Sequence, residues 1–436
     1  MPNSIPFKNI EKYNMEKLLK KVQTPCYILD EAAFIRNGEI LKELQEETGV
    51  KVLLAEKAFS NFTLFPLLSQ YLAGTEASGL FEARLGREEM PEKEVHVFSA
   101  AYRDGEFTEV LKYADHIIFN SVCQLKKFGP LAKKAGKEIG LRVNPECSTQ
   151  EGHAIYDPCS PGSRLGVTRE VFDAEMDKKA LSLLSGLHFH TLCEQDADAL
   201  ETTVNAFFQK FGDVVKDLKW LNLGGGHHIT RPGYDLPRLK RILTDIQKKY
   251  SLRLYLEPGE AVALNAGYLA TRVLDIVKNS GHNIAILDMS AACHTPDVIE
   301  MPYQPPLMNA DPVSDYSPEK ELQASATDES FSEAMHEVFG NSLGSAIADA
   351  LDPNEAIVYR LAGPSCLAGD VVGDYAFNHC LKRDELLVFG DMAIYSICKN
   401  NTFNGIPLPS IYLLQKDGSL KLIKSFSYED FKGRLG

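Results

Sequence analysis

The sequence predicts an α/β fold: a TIM-type (β/α)8 barrel with a second, mainly β domain. Three observations predict it. Between residues 50 and 260 eight short apolar runs recur, each leading through a small or polar residue into a stretch with helical spacing. The runs are mostly apolar without alternation, as strands covered on both faces are, and the stretches between them are long enough for right-handed crossovers. Beyond residue 260 the rhythm gives way to short strands and turns.

Taken in order, residues 24–30 (TPCYILD) read as a strand with a proline at its start, and 31–47 as a helix leading into the barrel. The barrel runs are VKVLLA (50–55), AGTEAS (73–78), EVHVFSA (94–100), DHIIFN (115–120), EIGLRVN (138–144), LSGLHFH (184–190), WLNLGGG (220–226) and LRLYLEPG (252–259). Helical segments fall at 81–90, 108–113, 121–137, 196–218 and 235–250. The later strands are NIAILDM, AIVYRLAG, ELLVFGDM and IYLLQKDGSLKLIKSF, the last with an Asp-Gly turn between alternating runs, which is a hairpin pattern. Residues 309–355, rich in Asp, Glu, Ser and Ala after a proline-punctuated start, read as a surface excursion. The barrel domain is expected over 44–275, and the β-rich domain over 1–43 together with 276–436.

Composition narrows the function. Of 436 residues 44% are hydrophobic and 24% charged, a globular balance that excludes disorder as the main state. The 46 Lys and Arg against 60 Asp and Glu leave a formal charge of -14, which disfavours nucleic acid and favours small cations as partners. Nine cysteines include no CxxC pair, so a reduced, cytoplasmic protein without a metal is expected. The N-terminus has no apolar signal region and no 18-residue apolar run occurs, so no membrane association is expected.

Active sites of such barrels gather at the carboxyl ends of the strands. There the sequence places Lys57, Arg142, His188 with His190, three glycines (Gly224 to Gly226) followed by His227 and His228, and Glu257 with Glu260. Lys57 follows a run that should be buried, where low dielectric favours a nucleophilic amine, though it also fits a rim lysine with its charge in water. The glycines of LNLGGGH let backbone N–H groups converge on a phosphate, or make only a tight turn; the spacing is not that of a dinucleotide fingerprint. Glu257 in LEPGE could keep a heteroaromatic nitrogen protonated, or pair with a neighbouring cation such as Arg142. His188 and His190 flank Phe189 and face one side of a regular strand, where one could stack on a planar ring. An amine, a phosphate cradle, a ring-facing histidine and a pyridinium-type carboxylate at four strand ends together describe a pyridoxal 5'-phosphate site.

The ordered motifs TPCYILD, LLAEKAFS, LRVNPE, GLHFHTLCE, LNLGGGHHIT, LEPGEAV, AGPSCLAGD and AIYSICKNNTFNGI resemble the fold-type III, alanine racemase-like pyridoxal phosphate decarboxylases over nearly the whole chain. The resemblance implies that Lys57 is the Schiff-base lysine, that His190 stacks on the ring, and that Gly225, Gly226 and Tyr395 bind the phosphate. It implies Glu257 on the pyridine nitrogen, Arg142 near the phenolic oxygen, Cys366 as the group that reprotonates the carbanion, and Asp370 beside the substrate. The segment bearing Cys366 and Asp370 comes from the partner subunit in this family, which implies a homodimer with shared sites.

Within the family, members acting on ornithine, arginine and diaminopimelate typically carry EPGR, whereas this chain has EPGE with Glu260 in place of the cation. Asp297 in HTPD is a second acid that matches the branch acting on carboxylated triamines. Two acids suit a long cationic arm and repel a distal carboxylate. The implied reaction is decarboxylation of carboxynorspermidine and carboxyspermidine to norspermidine and spermidine, with diaminopimelate or another basic amino acid as the alternative substrate. A metal-dependent barrel hydrolase using His188, His190, His227 or His228, and a non-catalytic cofactor carrier, are the remaining rivals. Glu56 departs from the family pattern: a charge where an apolar residue is usual must find solvent or a partner.

Overall fold

The computed structural model describes residues 7, 15–20, 22–150, 157–314 and 356–436. Strand β1 spans Cys26–Asp30 and is followed by the helix Glu31–Thr48. The next eight strands are β2 (Lys51–Ala55), β3 (Gly74–Ala77), β4 (Glu94–Phe98), β5 (His116–Phe119), β6 (Glu138–Arg142), β7 (Gly186–His188), β8 (Trp220–Asn222) and β9 (Arg253–Leu256). They form a closed parallel barrel in sequence order, β9 returning to β2 through Lys51 opposite Tyr255. Each predicted run contains one strand.

Side-chain volume explains the barrel interior. Trp220 on β8 is fully buried, and β6 and β7 pass it with Gly140 and Gly186, where a Cβ would lie 2.5 and 2.0 Å from its ring. Around the barrel, the helix Leu236–Tyr250 presents Leu239, Ile242, Leu243 and Ile246 at i, i+3, i+4, i+7 spacing. Asp235 caps its first turn through the Arg238 N–H, and Ser251 ends it at a positive φ of 55°. The helix Ala197–Val215 is capped by Asp196 and buries Leu200, Val204, Phe207 and Phe211.

The chain divides into two compact units, the barrel unit Ala32–Leu264 and a sheet unit made of the described residues up to 31 and from 265. These limits differ from the expected 44 and 275. Buried Asn37, in the helix before the barrel, donates to the carbonyls of Val262 (3.1 Å) and Leu264 (2.9 Å), which ties that helix to the barrel's last turn. Strand β10 (Gly267–Asn279), in turn, pairs antiparallel with β1.

The sheet unit continues with β11 (His282–Leu287), β12 (Asp311–Val313), β13 (Ile357–Ala362), β14 (Val371–Phe377), β15 (Leu386–Gly390), β16 (Ser410–Leu414) and β17 (Leu420–Lys424). Its strand order is β12-β14-β13-β11-β10-β1-β16-β17, with β15 also on β10. The Asp-Gly hairpin is β16–β17. Of the acidic excursion expected at 309–355, residues 315–355 lie outside the described residues. Among the described residues no helix is long and apolar enough to cross a membrane.

Candidate active site

The carboxyl ends of the barrel strands bring together Lys57, Arg142, His190, Gly225, Gly226, Glu257 and Glu260. Glu257 follows β9 and is buried, with one oxygen 2.9 Å from His188 Nε2 and the other accepting from Asn222 Nδ2 at 2.5 Å. Burial alone would raise its pKa, but His188 and the Asn222 amide hold it below the usual carboxylate range. Burial pushes His188 down, which suits a neutral imidazole donating its N–H to Glu257. Phe98 stacks against His188 with ring centroids 5.7 Å apart, and the Arg142 guanidinium lies over Phe98 at 4.6 Å.

Arg142 is buried at the end of β6 and donates to the His190 carbonyl at 3.1 Å. Burial lowers its pKa to about 10, opposed by Glu257 and Glu76, so it stays a cation at neutral pH. His190 accepts the Gly225 N–H at Nδ1 (2.9 Å), leaving Nε2 to carry any proton. Burial, then Lys57 and Arg142, drive its pKa well below the ordinary histidine value. The side chain is therefore a neutral plate.

The glycine turn is as close as backbone can be. A Cβ on Gly225 would lie 2.1 Å from the Glu257 carbonyl, and one on Gly226 1.9 Å from the Leu192 carbonyl; Gly226 also has φ +82°. No side chain fits there. Glu260 lies 3.0 Å from His228 Nε2.

Two acids beside Lys57 were harder to foresee. Glu76, the one charge in the run 73–78, is buried on β3 and pushed up to about 8 by burial and by Glu257. Glu56 finds neither the solvent nor the cation that its charge requires: it is 0% exposed, and burial raises its pKa to about 9, opposed by the Thr75 hydroxyl. It is kept neutral instead. Gly86, in the helix Leu80–Glu89, makes the room, since a Cβ there would lie 2.7 Å from Glu56 Oε1.

The rest of the predicted site belongs to the sheet unit. Asp297 does not stand free for a substrate ammonium: Lys399 Nζ bonds it at 2.6 Å and also pairs with Glu300. Lys399 also lies 5.7 Å from the Tyr395 ring, and Tyr395 has a φ of +48°, a rare conformation for a bulky residue. Asp370 is buried, and its oxygens accept from Ser290 Oγ (2.8 Å), Ala292 N (3.1 Å) and Ser365 N (3.2 Å), so it grips its own loop rather than an open space. Cys366 is exposed in that loop.

The histidines named for a hydrolase are otherwise engaged: His188 with Glu257, His190 with Gly225, His227 with the Tyr234 hydroxyl, His228 with Glu260. Among the described residues the one group with metal-type spacing is Glu94, His96 and His116, at the opposite, amino end of the barrel strands. The two imidazoles there are stacked at 3.9 Å and 10°, and parallel planes cannot share one in-plane metal.

The mouth fits pyridoxal phosphate. The turn that excludes every Cβ leaves backbone alone to face a phosphate, Arg142 stays a cation beside it, and His190 is an uncharged ring for stacking.

Residues 26–393 match the family model for pyridoxal-dependent decarboxylases, described by its C-terminal sheet domain. The chain is 40% identical over 415 residues to a carboxynorspermidine/carboxyspermidine decarboxylase of Campylobacter jejuni, covering 95% of this chain and 99% of that one. A carboxyaminopropylagmatine decarboxylase of Synechocystis is 36% identical, covering 96% and 97%. The crystal structure of carboxynorspermidine decarboxylase from Campylobacter jejuni, complexed with norspermidine, superposes with a TM-score of 0.79 at 39% identity, covering 95% and 100%.

Proposed function

The chain belongs to the pyridoxal-dependent decarboxylase family, and from that premise we propose that it decarboxylates carboxynorspermidine and carboxyspermidine to norspermidine and spermidine. The reading rests on the 40% identity, over 95% of the chain, to the Campylobacter enzyme that bears that activity in its name. The acid Glu260 at the barrel mouth agrees with it.

Pyridoxal phosphate, when bound, supplies a conjugated ring that accepts the electron pair left as carbon dioxide departs. Lys57 would hold it covalently, Gly225, Gly226 and Tyr395 would bind its phosphate, and Arg142 would lie by its phenolic oxygen. His190, being neutral, would stack on the ring without repelling the cations beside it. His188 and Asn222 keep Glu257 ionised, so that Glu257 would hold a proton on the pyridine nitrogen. Cys366, supplied by the second copy in a homodimer, breaks its S–H bond to place a proton on the carbon that lost the carboxylate. One carbon dioxide leaves and one proton is taken up per turnover.

Glu260 receives a substrate ammonium, which needs such a partner once it leaves water. Asp297 shares its charge with Lys399 and is the less available of the two for that task. A second substrate, carboxyaminopropylagmatine, is favoured by the 36% identity to the Synechocystis enzyme. The nine cysteines form no disulfide among the described residues, which suits a reducing cytoplasm.

The test is the purified protein with pyridoxal phosphate: a visible absorption band and carbon dioxide release from carboxynorspermidine, both lost in Lys57→Ala. A band without carbon dioxide release from any carboxylated triamine would overturn the substrate assignment.

A further inference from the structure

The loop that presents Cys366 is fastened at both ends by side chains of its own unit. It runs from Gly363 to Asp370 between β13 and β14, and it has little apolar anchorage, since Leu367 beside the cysteine is 45% exposed. Its position must come from hydrogen bonds.

At the base, Asp370 supplies them. Its backbone carbonyl accepts from Gly363 N at 2.8 Å, closing the loop on itself. One carboxylate oxygen accepts from Ser365 N, next to the cysteine, and from Ser290 Oγ; the other accepts from Ala292 N. The loop is thereby tied to the turn Ser290–Ala292. A buried carboxylate with three donors is shaped to hold a backbone. At the tip, the Cys366 N–H donates to Asn404 Oδ1 at 2.8 Å. Asn404 has a left-handed backbone, φ 58° and ψ 12°, a conformation that asparagine tolerates and most side chains do not. The segment around Asn404 is in turn bonded to the same turn as Asp370, Asn401 Nδ2 donating to the Ala292 carbonyl at 2.8 Å and Cys293 Sγ to the Phe403 carbonyl at 3.5 Å. Both fastenings therefore share one support.

We propose that Asp370 and Asn404 are positioning residues that fix the Cys366 thiol, Asp370 by clamping the base of its loop and Asn404 by holding its backbone N–H. Asp370 on this account does not contact substrate. The inference rests on the reading of Cys366 as the proton donor. A thiol delivering one proton to one carbon works only where it is aimed, so loosening it lowers kcat more than it alters KM.

The experiment uses the holoenzyme in four forms: unchanged, Asn404→Gly, Asn404→Asp and Asp370→Asn. Asn404→Gly keeps the left-handed backbone and removes the acceptor, while Asn404→Asp keeps both. The first readout is the alkylation rate of Cys366 by iodoacetamide relative to exposed Cys380, resolved by peptide mass. The second is kcat and KM for the carboxylated triamine. Asn404→Gly and Asp370→Asn are expected to change the alkylation ratio about threefold or more and lower kcat about tenfold, KM moving less than about twofold, with Asn404→Asp close to the unchanged enzyme in both. An alkylation ratio unaltered in Asn404→Gly would overturn the inference, whether or not Asp370→Asn folds. So would a KM rise without a fall in kcat in Asp370→Asn, which would return Asp370 to substrate binding. An altered ratio with unaltered kcat would retain the positioning and overturn the donor role of Cys366.

Discussion

Glu257 does its work through neighbours that set its charge. Its oxygens are each met by one N–H, from His188 and from Asn222, and it is ionised in spite of burial. Glu257→Gln keeps the shape and loses the anion; kcat is expected to fall by on the order of 10²-fold with a smaller change in KM, measured by steady-state carbon dioxide release. Glu56 is the opposite case. Its folded pKa of about 9 lies above its ordinary value of 4.5, so between those values the folded chain binds the extra proton and stability falls as pH rises. Glu56→Gln should match the native protein below pH 4.5 and exceed it at pH 8 by about 1–3 kcal/mol in urea melts. At this scale the sequence made Lys57, Glu257 and the glycines legible, because strand ends are where such chemistry collects. It hid Asn222 and Glu76, which are read only once strands are neighbours, and it hid the Lys399 partner of Asp297, about a hundred residues away along the chain. That Glu56 would need solvent or a partner was readable; that a helix glycine would leave room for a neutral acid was not.

Among the elements, the turn after β8 is the least tolerant of change. Gly225→Ala would push a methyl to within 2.1 Å of the Glu257 carbonyl, so either the turn or Glu257 must shift. Pyridoxal phosphate affinity is expected to fall about tenfold or more by absorbance titration, and the melting temperature to drop by several degrees, roughly 1–3 kcal/mol of stability. The barrel strands were readable because most are continuous apolar runs closed by a chemical residue, a pattern that parallel pairing favours. Strand β10 was not: GYLATRVLDIVKN is buried in its first half and exposed in its second, so neither an apolar run nor strict alternation marks it. Strand β14 likewise carries Asp374 inside, acceptable there because Arg360 pairs with it at 2.9 Å across the β13–β14 ladder.

For the molecule as a whole, the two ends of the barrel behave differently towards pH. At the amino end His116 is held down to about 2 by burial, then by His96, with Arg253 and Lys51 adding to the effect and Glu94 opposing it. The unfolded chain takes up that proton near pH 6.5 and the folded one does not, so stability is lost as pH falls below 6.5. His116→Gln should flatten this acid limb by about 1–2 kcal/mol between pH 6.5 and 5, followed by denaturant melts. The fold class was legible in the sequence because eight repeats of one unit are hard to mistake, and the sheet unit because both chain ends broke that rhythm. The exact partition was not, since it turns on Asn37 reaching the carbonyls of Val262 and Leu264. This acidic chain, with Glu260 at the mouth, decarboxylates carboxylated triamines. The most direct test is kcat/KM for carbon dioxide release from carboxynorspermidine, carboxyspermidine and meso-diaminopimelate side by side. The expected preference for the triamines is about a hundredfold or more; equal or better turnover of diaminopimelate would overturn the substrate assignment.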